Sequence, residues 1–259
     1  MRDANEQYIL ELLGKGKREH DRGNFDYRNI SLKLNAIPNA EGSAMVDIGN
    51  TKVLVGVKLD VGTPLPDKPD EGALITSAEL LPLAHAEYET GPPSAEAIEF
   101  ARVVDRSIRA AEVLDLSTLF IEKDKVWTTF VDIYVLNFDG NLFDAGTLAA
   151  SAALLSARMP KYENAKVTRE GKLGKLKTNN IVTSCTFAKL GGKLVLDPNA
   201  NEEAAMDCRL TVGVDETLIR AMQKGQSGSL SFQEIKELID VSFDKSKHLR
   251  DIVKKAISD

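Results

Sequence analysis

Hydrophobic and polar positions alternate along several stretches of the chain with the two-residue period of β-strands. Residues 30–34 form one such stretch, and two longer apolar runs, 43–48 and 52–57, follow it. Gly49 and Asn50 lie between the two runs, and both residue types accept the positive φ of a tight turn, so a β-hairpin is predicted. Further strands are expected at residues 74–83, 120–121, 126–136, 181–188, 193–196 and 208–214.

Other segments repeat apolar residues at the spacing of an α-helix. Ser94 is a suitable N-cap, and the S-x-x-E spacing of Ser231 and Glu234 is that of a capping box. Helices are expected before Gly14, from Ser94 to about Leu114, from about Asp144 to Arg158, and from Ser231 onward. Strands and helices therefore follow one another in repeated groups, which predicts an α+β fold with an internal structural repeat and a C-terminal helical segment.

Length and charge limit the possible classes of protein. A chain of 259 residues buries roughly 70 to 75% of its unfolded surface, so one large domain or two packed halves is expected. The formal net charge of −6 excludes a uniformly basic protein that coats nucleic acid, and any RNA contact must be local. No apolar run approaches the roughly 20 residues of a membrane span, and Cys185 and Cys208 form no CxxC pair, so a cytoplasmic location without a membrane partner is expected.

Several chemistries have no support in the sequence. The chain lacks G-x-G-x-x-G, G-x-x-x-x-G-K-[ST], H-E-x-x-H and G-x-S-x-G, which carry nucleotide, zinc or serine-hydrolase sites. Its histidines, His20, His85 and His248, are far apart and show no ligand spacing. We therefore expect no metal site in this chain.

Three arginines form the most informative constellation. Arg102, Arg106 and Arg109 recur at helical spacing on a face distinct from the apolar one, and guanidinium groups bind phosphates in a bidentate manner. A phosphate-contacting stripe is one interpretation. A solvated helix face is the other, with ion-pair partners available at Glu99, Asp105 and Glu112, and the pattern alone favours this second interpretation.

The segment around these arginines resembles a known family. Residues 98–109 read I-E-F-A-R-V-V-D-R-S-I-R and are followed by L-D-L at 114–116, which is similar to the E-I-x-x-R-x-I-x-R-x-x-R helix of the RNase PH family. Asp144-Ala145-Gly146-Thr147 is similar to the D-G-G-T-R element of that family. Arg18, Arg22 and Arg28 resemble its arginine-bearing entry segment, and the resemblance extends from about residue 18 to 225.

The resemblance implies a fold and an assembly. The fold is a duplicated domain like the second domain of ribosomal protein S5, with residues 1–24 as an N-terminal helix and basic entry segment, 25–160 as the first half and 161–259 as the second half. Members assemble as rings that degrade RNA from its 3′ end, with inorganic phosphate as the nucleophile. A divalent metal, held by two aspartates that are separated by five residues, assists the attack.

This sequence departs from the family pattern at functional positions. Gly191 stands at the expected first carboxylate, with Asp197 as the second, and Leu148 replaces the phosphate-gripping arginine. No catalytic residue is therefore assigned, and the chain looks most like the non-catalytic ring subunit of the archaeal RNA exosome. The resemblance implies a hexameric ring of three heterodimers with a catalytic paralogue that holds phosphate and Mg²⁺, together with S1/KH cap proteins and single-stranded RNA. In that setting Arg102, Arg106 and Arg109 are expected to bind RNA.

Two alternatives remain open at the level of sequence. The chain could itself be an active phosphorolytic nuclease, with Asp139 or Asp144 replacing the missing groups. It could also be a small-molecule kinase of related fold, although the glycine-rich ATP loop expected of such an enzyme is absent from the sequence.

Overall fold

A computed structural model describes residues 4–170 and 174–258 of the chain. The helices are α1 (Ala4–Gly14), α2 (Ala95–Ala110), α3 (Leu142–Ser156), α4 (Ala200–Ala205) and α5 (Phe232–Ser258), and 3-10 turns span Glu19–Asp21 and Leu116–Leu119. The strands are β1 (Ile30–Leu34), β2 (Gly42–Ile48), β3 (Thr51–Gly62), β4 (Ala73–Leu80), β5 (Phe120–Glu122), β6 (Lys125–Asn137), β7 (Arg158–Met159), β8 (Lys161–Glu163), β9 (Lys166–Thr168), β10 (Gly174–Lys175), β11 (Thr183–Leu190), β12 (Lys193–Leu196), β13 (Cys208–Val214) and β14 (Ile219–Gly225).

The first half forms a mixed sheet with the order β1-β2-β3-β6-β4, and β5 pairs with β6 beside this path. All of its pairs are antiparallel except β4 with β6. The predicted hairpin is confirmed as β2 and β3, and Gly49 in its turn has a φ of 59°. The parallel strand β4 requires a long return connection, which explains why α2 lies between β4 and β6 in the sequence.

The second half forms an antiparallel sheet with the order β12-β11-β13-β14. The sequence pattern does not predict β14, because its inward positions carry few large apolar residues and it lies at the edge of the sheet. Helix α4 is also absent from the predicted elements, which include nothing between β12 and β13. A capping box starts this short helix: the Asn199 side chain accepts from the Glu202 backbone, and the Glu202 side chain accepts from the Asn199 backbone.

Helix α3 lies between the two sheets and contacts β2 and β3 on one side and β11 on the other. Its residues from Leu142 to Leu154 are all buried, which matches a helix that is apolar or small all round. Gly146 permits the close crossing of α2, because a Cβ at this position would lie 2.4 Å from the Phe100 ring. The two halves therefore share one core, with α3 at its centre.

The remaining long helices follow their predicted starts. The Ser94 side chain accepts from the Ala97 backbone at 3.1 Å and caps α2, but the helix ends at Ala110 and not at Leu114. Ala111 is the C-cap, and the next residue, Glu112, has a positive φ of 50°, a left-handed conformation that ends the helix. The predicted capping box of Ser231 and Glu234 is confirmed at the start of α5, which packs on β11, β13 and α3.

Candidate functional site

Arg102 and Arg106 lie one helical turn apart on the solvent side of α2 and are both exposed. Together with Gln223 of β14 they line a shallow depression, and Arg106 Nη1 donates to Gln223 Oε1 at 3.3 Å. Glu99, a possible ion-pair partner in the sequence, instead accepts from Arg209 Nη2 at 2.8 Å. The structure thus brings Arg102 and Arg106 together with no acidic partner among the described residues.

Arg109 has a different role in the structure. Its Nε donates to Asp105 Oδ2 at 2.7 Å, and its Nη2 donates to the Leu74 carbonyl. These contacts fasten the end of α2 to β4 and direct the guanidinium away from the depression that Arg102 and Arg106 line. Helical spacing predicts one stripe of three arginines, but ion pairing divides it, because the Asp105 carboxylate lies one turn before Arg109 on the same helix.

Asp197 is the residue with the most polar contacts at the centre of the molecule. Its Oδ1 accepts from Arg28 Nη2 at 2.8 Å and Asn141 Nδ2 at 2.6 Å. Its Oδ2 accepts from Arg22 Nη1 at 3.0 Å and from the backbone N and Nε of Arg28, both at 2.9 Å. The side chain is completely buried. Five donors fill the roughly four lone-pair sites of a carboxylate, so Asp197 does not fit a metal ligand.

The charge of Asp197 is maintained despite its burial. Burial alone would raise the pKa of this carboxyl, but the hydrogen bonds and the charge of Arg28 outweigh burial and hold the pKa below its usual range. Burial and the neighbouring Arg18 in turn lower the pKa of Arg22. The site is therefore an ionised buried network whose carboxylate is already fully paired.

The entry-segment arginines are all used within this network. Arg18 forms a bidentate pair with Glu202, with Nε and Nη2 both at 2.7 Å from the carboxylate oxygens, and both side chains are buried. Arg22 contacts both Glu202 and Asp197. In the sequence, only the family resemblance marks these arginines as functionally important. Their acidic partners lie about 180 positions away along the chain, so no local sequence pattern could predict the ion pairs.

Gly191 does not lie beside Asp197. It occupies the turn between β11 and β12, with a φ of 52°, whereas Asp197 follows the opposite end of β12. Four strand residues at about 3.3 Å each separate them by more than about 13 Å, too far to share one ion. The two positions at which the sequence predicts the paired carboxylates, Gly191 and Asp197, are therefore not brought together.

Several acidic residues are linked to Asp197 through shared donors, among them Asp144 through the Asn141 side chain, Glu202 through Arg22, and Glu203 through Asn141. Of these, Glu203 is the one that is also separated from Asp197 by five residues. Glu203 Oε1 accepts from the Asn141 backbone at 2.8 Å, while the Asn141 side chain donates to Asp197. The first turn of α4 returns the chain toward Asp197, which an extended strand could not do. Desolvation raises the pKa of Glu203 to about 7. The five-residue spacing, applied forward from Asp197, is the signal that could have found this pair.

Asp144 and Asp139, the candidate replacements in an active enzyme, are both engaged. Asp144 Oδ2 accepts from Tyr27, Asn141 and the Thr186 backbone, and its Oδ1 accepts from the Thr186 hydroxyl. It is buried, and burial raises its pKa to about 7. Asp139 pairs with Arg28 at 3.3 Å and accepts from Asn50.

Leu148 lies in the middle of α3 with no exposed surface and belongs to the shared core. An anion cannot reach this position through the packed side chains around it. The expected phosphate-gripping group is thus replaced by a residue that stabilises the fold.

The histidine side chains that the structure describes show no metal-binding arrangement. His85 packs against the rings of Tyr88 and Phe138, with centroids 5.4 and 5.3 Å away, and the side chain of His20 lies outside the described part of the chain. Among the described residues, no group of three or more acidic, histidine or cysteine side chains could hold a metal ion. None of the described helices is long and apolar enough to cross a membrane.

Comparison with known proteins places both halves in one family. The model of the 3′ exoribonuclease family, domain 1, matches residues 26–160, and that of domain 2 matches residues 180–245. The exosome complex component Rrp42 of Thermococcus gammatolerans is 46% identical over 255 residues, which cover 96% of this chain and 93% of the relative. Rrp42 of Methanosarcina acetivorans is 45% identical over 245 residues, covering 94% and 91%.

Solved structures agree with these matches. A chain described as "archaeoglobus fulgidus exosome with RNA bound to the active site" superposes with a TM-score of 0.90 and 41% identity, covering 95% of this chain and 96% of that one. Rice Rrp46, at 19% identity and a TM-score of 0.71 over 93% of this chain and all of that one, shows the shared fold alone. The predicted α+β, RNase PH-like fold with a C-terminal helix is confirmed. With a matching model on each half and close relatives along nearly its whole length, the chain belongs to the RNase PH family of 3′ exoribonucleases.

Proposed function

We propose that this chain is a non-catalytic subunit of an archaeal-type exosome, a phosphorolytic 3′–5′ exoribonuclease. It joins a catalytic RNase PH-like paralogue in a hexameric ring of three heterodimers, capped by S1/KH proteins, in the cytoplasm. The Rrp42 names of its relatives and the similarity to exosome chains support this assignment. The free, buried cysteines Cys185 and Cys208 suit a reducing compartment.

The saturated carboxylate of Asp197 is the observation that carries the proposal of catalytic silence. A metal ion would have to displace Arg22, Arg28 or Asn141 from a fully buried carboxylate, leaving a buried guanidinium or amide without its partner. Leu148 removes the expected phosphate contact as well. With neither nucleophile nor metal held, the chain lacks the means to position an in-line attack.

In the proposed assembly, Arg102 and Arg106 bind the RNA backbone near the active site of the paralogue. Their support is that both are exposed on one face of α2 and that neither forms an ion pair with a described carboxylate. Glu99 lines the same depression, but its carboxylate pairs with Arg209. Contacts from arginine to phosphate oxygen hold a strand without regard to sequence, which suits degradation of varied RNA. The sequence predicts that Arg109 shares this role, but its ion pair with Asp105 favours a structural one.

The proposed organisation along the chain keeps the bounds 1–24, 25–160 and 161–259. The separation of the six-stranded sheet from the four-stranded sheet and the spans of the two family models support a division near residue 160. The buried pair of Arg18 and Glu202 supports an entry segment that fastens onto the second half.

The first experiment tests whether this chain has phosphorolytic activity of its own. The purified full chain is incubated with inorganic phosphate, Mg²⁺ and poly(A), alone and after co-expression with its catalytic paralogue, and nucleoside diphosphates are quantified. We expect release only in the mixed assembly. Release by the chain alone would refute catalytic silence and support the active-nuclease alternative.

The second experiment tests the arginine pair within the assembly. Arg102→Glu combined with Arg106→Glu should weaken RNA binding and slow decay about tenfold or more, since two phosphate contacts become repulsive. Lys247→Glu combined with Lys255→Glu on the exposed face of α5 makes the same change in charge and should have little effect. If the arginine variant degraded RNA at the wild-type rate and with the same salt dependence, the proposed RNA-binding role of Arg102 and Arg106 would be refuted.

A further inference from the structure

A second basic surface lies away from the arginine pair of α2. The loop between β1 and β2, the middle of β3 and the segment after α3 enclose a groove of ≈ 770 Å³. This volume falls within the roughly 300–1,000 Å³ typical of ligand sites. Its charged lining residues are Glu41, Lys58, Arg158 and Arg169. Among the residues that the structure describes, three cations against one carboxylate give the groove a formal charge of +2.

Glu41 fixes two of these cations in position. Its side chain is only 2% exposed, and its Oε1 accepts from Arg169 Nε at 2.6 Å and Lys58 Nζ at 3.1 Å. Arg169 also donates to the Leu59 carbonyl at 3.0 Å, and Lys58 donates to the Asn39 carbonyl at 3.0 Å. One cation would suffice to neutralise the carboxylate, so the second is held in place with its charge uncompensated.

Arg158 provides the third cation. Its backbone is fixed by a hydrogen bond to the Glu41 carbonyl at 2.9 Å, and its side chain is exposed. Within the residues that the structure describes, its guanidinium makes no hydrogen bond or ion pair, and the side-chain amides of Asn35 and Asn39 at the same groove are also unpaired. The groove therefore presents several donors that have no acceptor within the described chain.

We propose that this groove binds phosphodiester groups of single-stranded RNA, as a second contact besides Arg102 and Arg106. Two uncompensated positive charges match two successive backbone phosphates, and guanidinium groups bind phosphate oxygens in bidentate geometry. The asparagine amides can bond to ribose hydroxyls or base edges. No aromatic ring lines the groove within the described residues, so it holds the backbone without stacking on bases. The choice of RNA rests on the proposed function, whereas the charge of the groove does not.

The test measures binding of a fluorescent single-stranded RNA to the full chain over a salt series. Arg158→Glu should weaken binding about tenfold, and Arg158→Gln by less, because the first also repels phosphate. The slope of log affinity against log salt should fall by about 0.7 for each phosphate that the variant no longer binds. Lys255→Glu is the charge-matched control and should leave both affinity and slope unchanged. Thermal melts by circular dichroism verify that each variant is folded.

Two further measurements are needed. The first distinguishes RNA from free phosphate as the ligand, and the second distinguishes the groove from the α2 arginines. Inorganic phosphate, a nucleoside monophosphate and RNAs of increasing length compete for the site, and affinity should rise with length. Length-independent competition equal to that of inorganic phosphate would overturn RNA as the ligand. Combined with Arg102→Glu and Arg106→Glu, Arg158→Glu should reduce the remaining binding further. Unchanged affinity and salt slope in Arg158→Glu, in both backgrounds, would overturn the groove proposal while leaving the α2 arginines unaffected.

Discussion

Replacing Asp197 by Asn tests whether this carboxylate holds the fold together or serves chemistry. The substitution keeps the size of the side chain and removes its charge, which leaves Arg22 and Arg28 partly unpaired with side chains 9% and 6% exposed. Breaking a buried ion pair on one side costs about 3–5 kcal/mol. Arg28 keeps its contact with Asp139 at 3.3 Å, so we expect a destabilisation near the lower limit, about 3 kcal/mol.

The measurement is the free energy of unfolding from urea titration, with the melting temperature from calorimetry. A destabilisation of about 3 kcal/mol lowers the melting temperature of a domain of this size by about 6–12 °C. Asp139→Asn is the matched control: its side chain is 29% exposed and its contact with Arg28 is longer, so we expect a destabilisation below about 1 kcal/mol. A chelator should not change the melting temperature of the wild-type chain.

The pH dependence gives an independent check. The pKa of Asp197 in the folded chain lies below its ordinary value of 3.8, so on acidification the unfolded chain takes up the proton first. The stabilisation is therefore present above about pH 4 and is lost as the pH falls through the folded pKa. The difference in stability between wild type and Asp197→Asn should shrink below about pH 4. An unchanged melting temperature in the variant, or a chelator that destabilises the wild type, would refute the structural role.

Three further substitutions test the surroundings of this network. Burial raises the pKa of Asp144 to about 7 from 3.8, so its contribution to stability is present below about pH 4 and lost as the pH rises to 7. The decline is worth up to about 4 kcal/mol between about pH 4 and 7, and urea titrations over that range should show that Asp144→Asn removes it. Gly146→Ala should cost about 1–3 kcal/mol in the same assay, because the new Cβ meets the Phe100 ring. Leu148→Arg should unfold the chain, detected by circular dichroism, since it puts an unpaired charge into the core; a folded variant that binds phosphate in calorimetry would contradict this.

Most of the secondary structure is accessible from the sequence because its signals are local. The alternation around Gly49, the cap at Ser94 and the capping box at Ser231 and Glu234 each act within a few residues. The predicted end of α2 is wrong, since apolar periodicity continues past Ala110 although Glu112 turns into the left-handed region.

The candidate site is only partly accessible from the sequence, since its decisive contacts join distant residues. Resemblance indicates Asp197 and the entry arginines, but their pairing links positions about 170 apart and leaves no local pattern. The five-residue spacing, counted backward from Asp197, selects Gly191 as the partner position, although strand β12 separates the two. The same spacing counted forward selects Glu203, but the sequence predicts no helical turn that would bring this residue back toward Asp197. Arg109 follows the helical spacing, but its ion pair with Asp105 takes it away from the other two arginines.

Helix α3 is encoded by the first half of the chain, yet both halves surround it. A ribosome that has released only residues up to about 160 has therefore made a helix whose far side still faces water. Premature termination there would yield an aggregation-prone product and not a small stable module. A protease that cuts between α3 and β11 would, by contrast, leave a nicked particle whose two pieces stay together.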